Sequence, residues 1–268
     1  MTTCNSRIVV FDLDETLGYF MELGMFWDAL KSYIKHKQIT QSITTQNMFN
    51  NILDLYPEFL RPNIINILNY LKKKKDKNHC HKLMIYTNNQ GPVEWANYIM
   101  KYFEEKINYK IFDQIIAAFK VQGKQVELCR TTHMKTHQDL IKCTKLPEET
   151  QICFLDDVFY PDMSNEKIYY INVKPYIHDL EFNDMINRFL NSNILDCEPT
   201  SCRAYILAFM NRYNYIYVGK SAETQNADKF VSKKILQHLH IFFRTSHTNK
   251  TKRRRKLIKN GTLKTRKN

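Results

Sequence analysis

The stretch Ile8-Val9-Val10-Phe11-Asp12-Leu13-Asp14-Glu15-Thr16-Leu17 runs four apolar residues straight into two carboxylates two positions apart. An unbroken apolar run of this length, ended by polar residues, reads as a strand covered on both faces, the habit of parallel sheets. A carboxylate is costly to bury alone, so Asp12 requires a cation, hydrogen-bond donors or a proton. The carboxyl ends of strands are where open α/β sheets bind their ligands. The simpler alternative is that Asp12 merely ends a strand while Asp14 and Thr16 cap a helix.

Further strands and helices follow in alternation. After the first strand, at 7–13, "FWDALKSYIKHK" has helical spacing. "RPNIINILNYLKKKK" reads as an amphipathic helix with apolar Ile64, Ile65, Ile67, Leu68 and Leu71 beside a polar face, Pro62 in its first turn and Lys72–Lys75 as a solvated end. "KLMIYTNNQGP" is a strand running into a polar turn, and "VEWANYIMKYFEEKI" a helix. "IFDQIIAAF" contains a strand, "HQDLIKCTKL" a short helix, "TQICFLDD" a strand ending in acids, "KIYYINV" a further strand and "HDLEFNDMINRFL" a helix. Such alternation predicts an α/β protein, a Rossmann-like three-layer sandwich around a mainly parallel sheet. The expected organisation is a core domain over 1–196, an α/β extension over 197–249, and a basic disordered tail over 250–268. In the extension, "CRAYILAFMNRYNYIYVGK" reads as a helix and a strand, and "KKILQHLHIFFR" as another helix.

Charge is unevenly placed. The formal net charge is +13, yet ten of the 40 Lys and Arg lie between Lys250 and Asn268, where no Asp or Glu occurs. The rest of the chain carries 30 basic and 27 acidic residues, so the basic character belongs to its end. That end suits a nuclear import signal, a nucleic-acid contact or a solubilising tail. With only 6 glycines, no glycine-rich phosphate loop is expected. No run of 18 apolar residues and no signal peptide are evident, which points to an intracellular, nuclear or cytoplasmic protein with no membrane partner. The 7 cysteines form no CxxC pair and read as free thiols. Cys129, His133, His137 and Cys143 would offer two sulfurs and two nitrogens to zinc, but without a paired half-site they read as scattered polar residues.

Three strands end in residues of a consistent chemistry. The first ends in Asp12 and Asp14, the second in Thr87 and Asn88, a later one in Asp156 and Asp157 with Asp162 beyond, and Lys135 precedes a helix between the last two. A parallel sheet brings these ends to one edge. Clustered carboxylates suit a hard cation, Mg²⁺ by preference, because it accepts few protein ligands together with water and phosphate. An ionised carboxylate can attack phosphorus, and a second acid can protonate the leaving oxygen. A hydroxyl and an ammonium can hold the phosphoryl oxygens.

DxDxT after an apolar strand, a strand ending in Thr, a Lys, and a strand ending in Asp-Asp, in that order over residues 7–190, together resemble the haloacid dehalogenase (HAD) superfamily of phosphatases. Within it, DLDETL followed by "LRPN" is similar to the group that includes the phosphatases of the RNA polymerase II C-terminal domain, with Asn63 where that group has glycine. The resemblance implies Asp12 as nucleophile, Asp14 as general acid/base, Thr16 as loop support, and Thr87, Asn88 and Lys135 as phosphate-binding residues. It implies Mg²⁺ held by Asp12, Asp157 and the Asp14 main chain, with Asp156 orienting its neighbours or a metal-bound water. Lys120, Lys124 and Lys142 fall in the same interval as Lys135; Lys135 is preferred because it precedes a helix and leaves room for that helix before Asp156.

The intervals between Leu17 and Lys82 and between Thr87 and Lys135 are too short for a full lid, so a small cap or none is expected. An open site suits a macromolecular phosphate, such as phosphoserine or phosphothreonine on an extended peptide, since small metabolites need burial to be selected. "YTNNQGP" also resembles the "TNQ-G" segment of polynucleotide 3′-phosphatases, which makes a nucleic-acid 3′-phosphate the rival substrate. A non-catalytic scaffold of the same fold is the rival from another class; it would need neither Asp12 nor Asp14.

Overall fold

The computed structural model describes residues 6–40 and 43–244. The basic run over 250–268 and Cys4 lie outside the described residues. Among the described residues, seven strands and eight α-helices follow in chain order. They are β1 (Arg7–Phe11), α1 (Met21–Lys37), α2 (Thr45–Asp54), α3 (Ile64–Asp76), β2 (Lys82–Tyr86), α4 (Val93–Lys106) and β3 (Gln114–Ile116). A two-residue hairpin, β4 (Lys120–Val121) and β5 (Lys124–Gln125), precedes α5 (His137–Thr144), β6 (Gln151–Asp156) and β7 (Ile168–Asn172). The chain then continues through α6 (Phe182–Asn191), α7 (Pro199–Met210) and α8 (Ala222–Arg244).

Five strands form one parallel sheet in the order β3-β2-β1-β6-β7. Side chains alternate cleanly across it, as the pleat requires. Val9, Phe11, Leu83, Ile85, Cys153 and Leu155 enter a large core shared with most of the helices. Ile8, Val10, Met84, Tyr86, Ile152 and Phe154 enter a smaller one beneath Leu140 of α5 and Met163. The result is the expected three-layer α/β sandwich, with one helical layer much thicker than the other.

Register explains why the polar residues meet. Phe11 pairs with Ile85 on one side and with Leu155 on the other. One further residue on each strand therefore sets Asp12 beside Asp156, and the amide of Asp12 donates to the carbonyl of Leu155 at 2.8 Å. Thr87 follows directly after β2, with its amide on the carbonyl of Ile116 at 3.0 Å. All three lie at the carboxyl edge, where β1 has neighbours reached by crossovers in opposite directions along the sheet.

Several local expectations are corrected. Pro62 stands before α3 rather than in its first turn. The turn into that helix is made by Asn63 at φ 64°, a left-handed conformation that asparagine tolerates better than most residues. Lys72 and Lys75 are not merely solvated: their ammonium groups donate to the carbonyls of Ile107 and Ile111, and Lys75 pairs with Asp113 at 2.7 Å. Cys129 and Cys143 form a disulfide, while Cys80, Cys153, Cys197 and Cys202 are free. With both sulfurs bonded and the His133 ring packed edge-on against Phe119 at 5.3 Å, the zinc quartet does not assemble.

The strand expected after α7 is absent. Residues 214–220 cross the surface instead, where Tyr215 and the amide of Val218 both donate to Asp179, at 2.6 and 3.0 Å. Asp179 thereby satisfies one backbone amide, that of Val218, and anchors the segment through the Tyr215 hydroxyl. The segment after 197 is otherwise helical, and α8 begins well before the expected "KKILQHLHIFFR". Cys202, Ile206 and Met210 of α7 and Ile235, Leu239, Phe242 and Phe243 of α8 join the large core, with α7 packed on α1 and α8 on β7. Among the described residues no helix is long and apolar enough to cross a membrane.

Candidate functional site

A cavity of about 230 Å³ opens at the carboxyl edge of the sheet, lined by Asp12, Asp14, Thr87, Asn88, Lys135 and Asp157 among others. Six of the residues singled out from sequence therefore share one opening. Asp156 stands just behind them with no exposed surface, and Thr16 is buried beneath the loop. Asp162 sits exposed on a short 3₁₀ turn and does not line the cavity.

Lys135 is the organising charge. Its ammonium donates to Asp12 Oδ1 at 2.5 Å and to Asp156 Oδ2 at 2.7 Å, with the lysine side chain 1% exposed. Burial opposes its positive charge, but the two carboxylates outweigh burial and hold its pKa above the ordinary lysine value. The other lysines of that interval lie elsewhere: Lys124 and Lys142 are exposed, and Lys120 lies over the Phe119 ring.

Asp156 spends its second oxygen on the amide of Val158 at 2.9 Å, and burial raises its pKa. Both of its oxygens are thus engaged, which makes it a partner of Lys135 and the loop. Asp157 accepts from the Thr16 hydroxyl at 3.1 Å, and burial and then the Asp12 charge raise its pKa. Carboxylate oxygens of Asp12, Asp156 and Asp157 lie within 4.8 Å of one another. An all-oxygen set of this kind fits a hard divalent cation. With Asp156 held by Lys135, the oxygens of Asp12 and Asp157 are the better placed to take one.

Asp14 lies on the other side of the cavity. Burial pushes its pKa up to about 7, with the Asn89 amide pulling against that and the Asp12 charge adding to it. Asn89 Nδ2 donates to Asp14 Oδ2 at 2.7 Å. The turn that holds Asn89 closes on itself: its amide donates to Thr87 Oγ1 at 3.0 Å, and its Oδ1 accepts from the amide of Gly91 at 2.8 Å. The second asparagine of "TNNQG" is therefore what aims Asp14. Asn88 turns the other way and donates to the Tyr160 hydroxyl at 3.0 Å.

Two buried arginines, Arg61 of the "LRPN" stretch and Arg130, fix the backbone of this edge. Arg61, 1% exposed, donates to the carbonyls of Glu15, Thr16 and Lys174, and lies 5.5 Å from the Tyr176 ring. It braces a turn in which Glu15 is held at φ 57°, with its amide on the carbonyl of Gly18 at 2.7 Å. Gly18 is required there, because a Cβ would stand 2.5 Å from both the Phe20 ring and the carbonyl of Phe59. Arg130, equally buried, donates to the carbonyls of Thr87, Ala117 and His133. It thereby ties the end of β2 to the loop that carries Lys135.

That loop is fastened twice more. Asp139 accepts from the amide and the hydroxyl of Thr131 at 2.9 and 3.0 Å. The Cys129–Cys143 disulfide closes the segment around it, with a Cα separation of 5.0 Å. Thr136 caps α5 by accepting from the amide of Asp139 at 3.0 Å, which leaves Lys135 on the last residue before the cap, pointed at the sheet edge. Compared with models of known families, with characterised proteins and with solved structures, the chain matches none.

Proposed function

We propose that this protein is a phosphomonoester hydrolase of the HAD type, dependent on Mg²⁺ and acting on phosphoserine or phosphothreonine of a protein. The observation that carries the reading is the convergence of Asp12, Asp14, Thr87, Lys135 and Asp157 on one cavity at the end of a parallel sheet.

An Asp12 oxygen attacks the phosphorus, forming an O–P bond as the ester P–O bond breaks. Asp14 gives its proton to the departing serine oxygen. A carboxyl group with a pKa of about 7 is suited to both directions of transfer, since it carries a proton readily and surrenders it readily. In the second half, Asp14 takes a proton from water as the water oxygen attacks phosphorus. The Asp12–phosphorus bond breaks, releasing phosphate and restoring both carboxyl groups. Lys135 and the Thr87 hydroxyl hold phosphoryl oxygens and offset their developing charge. Asp12 and Asp157, with the Asp14 main-chain carbonyl, would hold Mg²⁺, whose charge lowers the repulsion between carboxylates and phosphate. Asn89 fixes Asp14, and Arg61 fixes the loop that carries it.

Phosphate release from a phosphoserine peptide, with Mg²⁺ and with chelator, tests this reading. The wild type releases phosphate only with the metal, and Asp12→Asn, which keeps the shape and removes the nucleophile, releases none. Wild-type inactivity on every phosphoester offered with Mg²⁺ refutes it, as does undiminished activity of Asp12→Asn. Faster release from an oligonucleotide 3′-phosphate would move the substrate class to nucleic acid.

A further inference from the structure

A second and larger cavity, about 610 Å³, adjoins the first and shares Asp14, Glu15 and Asn89 with it. It lies between the start of α1 and the start of α4 and reaches Asp14. Its walls are aromatic, with Tyr19, Phe20, Trp27, Trp95 and Tyr98 among them. Around these rings stand four carboxyl groups, Asp14, Glu15, Asp28 and Glu94, and one cation, Lys31. Lys31 is already paired with Asp28 at 2.9 Å, with both side chains nearly half exposed. That leaves Asp14, Glu15 and Glu94 without a cation in the lining, so its balance is acidic.

We infer that this cavity receives the side chain of a Lys or Arg near the phosphorylated residue, so that the preferred substrate is a basic phosphopeptide. The inference rests on the phosphatase reading and narrows it. Two physical reasons support it. A cation gains from the faces of several rings and from the carboxylates beside them at once. A nucleic-acid strand would bring further phosphates toward Glu15 and Glu94, where like charges repel.

The chain contains two tryptophans, Trp27 and Trp95, and both line this cavity, so intrinsic fluorescence reports its occupancy directly. The experiment titrates full-length Asp12→Asn protein, which cannot turn substrate over, with phosphoserine peptides that differ only in having Arg, Ala or Glu two residues from the phosphoserine. A 3′-phosphorylated oligonucleotide is titrated in parallel. The Arg peptide is expected to bind at least tenfold more tightly than the Ala peptide and the Glu peptide more weakly still. Glu94→Gln, a change at an exposed position, is expected to shrink the Arg preference severalfold. Equal affinity for the three peptides, or tighter binding of the oligonucleotide than of the Arg peptide, overturns the inference. Wild-type hydrolysis of para-nitrophenyl phosphate with Mg²⁺ separates the two ideas. Hydrolysis without peptide discrimination removes the basic-peptide inference alone. Arg-selective binding without any hydrolysis removes the catalytic reading and supports the cation preference of the cavity.

Discussion

Replacing Lys135 by Met is the most informative single perturbation of the site. Methionine keeps the length of the side chain and removes the charge. Asp12 and Asp156, now 2.5 and 2.7 Å from the ammonium, would face each other without it. The lysine and Asp156 side chains are each 1% exposed and that of Asp12 is 11% exposed, so solvent screens little of the loss. Removing one member of a buried, hydrogen-bonded charge group costs about 3–5 kcal/mol. For a chain of this size about 1 kcal/mol corresponds to roughly 2–4 °C, so the expected fall in Tm is on the order of 10 °C. The sign with pH follows from linkage. In the wild type the lysine pKa lies above its ordinary value, so the stabilisation is complete at neutral pH and is lost only when alkali removes the proton. In the variant Asp156, whose pKa burial already raises and Lys135 holds down, loses that cation and binds a proton more readily than in the unfolded chain. The deficit is therefore largest at pH 8 and shrinks toward pH 5. Thermal unfolding followed by circular dichroism in chelator at both pH values measures it. A fall of less than about 3 °C at pH 8, or a deficit that grows on acidification, refutes the reasoning.

Three further perturbations probe other parts of the structure. Glu22 has no exposed surface and accepts from the amide of Leu180 with both carboxylate oxygens, at 3.2 and 3.0 Å; burial pushes its pKa up to about 8. A raised carboxyl pKa means stability that is complete below the ordinary glutamate range and lost as pH rises through about 8, so Glu22→Gln should flatten the decline of Tm between pH 5 and 9, and an unchanged slope rejects this. Cys129→Ser opens a disulfide spanning 14 residues, with an expected loss of about 3 kcal/mol in urea unfolding, and equal midpoints for variant and wild type without reductant would contradict it. Asn89→Ala removes the 2.7 Å hydrogen bond to Asp14; a bond to a charged group is worth about 1.5–3 kcal/mol, so kcat/KM on a phosphopeptide should fall by roughly 10–100-fold, and an unchanged value sinks the positioning role.

The layer architecture was legible because it rests on local patterns. The apolar runs of β1, β2 and β6 and the helical spacing of α3, α4 and α6 survive any change of partner. Where a segment's conformation depends on a distant group, the pattern failed. "NYIYVGK" has the β-branched and aromatic residues of a strand, but the Val218 amide and the Tyr215 hydroxyl are held by Asp179 instead of by a neighbouring strand. Lys72 and Lys75 look like a solvated helix end until the carbonyls of Ile107 and Ile111 are folded against them. Cys129 and Cys143, without a CxxC spacing, gave no sign of meeting; the return of α5 toward the hairpin loop brings them together.

The sequence by itself determined the alternation of strand and helix and the residue types that end each strand. Both follow from chain-local physics: a period of burial, and acids or hydroxyls where the apolar run stops. Only the tertiary structure decided which of those residues meet. Parallel register set Asp12 beside Asp156, and three separate ties on the loop before α5 brought Lys135, and no neighbouring lysine, between them. Arg61, Arg130 and Asn89 became visible only there as well. Their roles consist in the carbonyls and carboxylate they reach across the fold, and no spacing along the chain encodes such a reach.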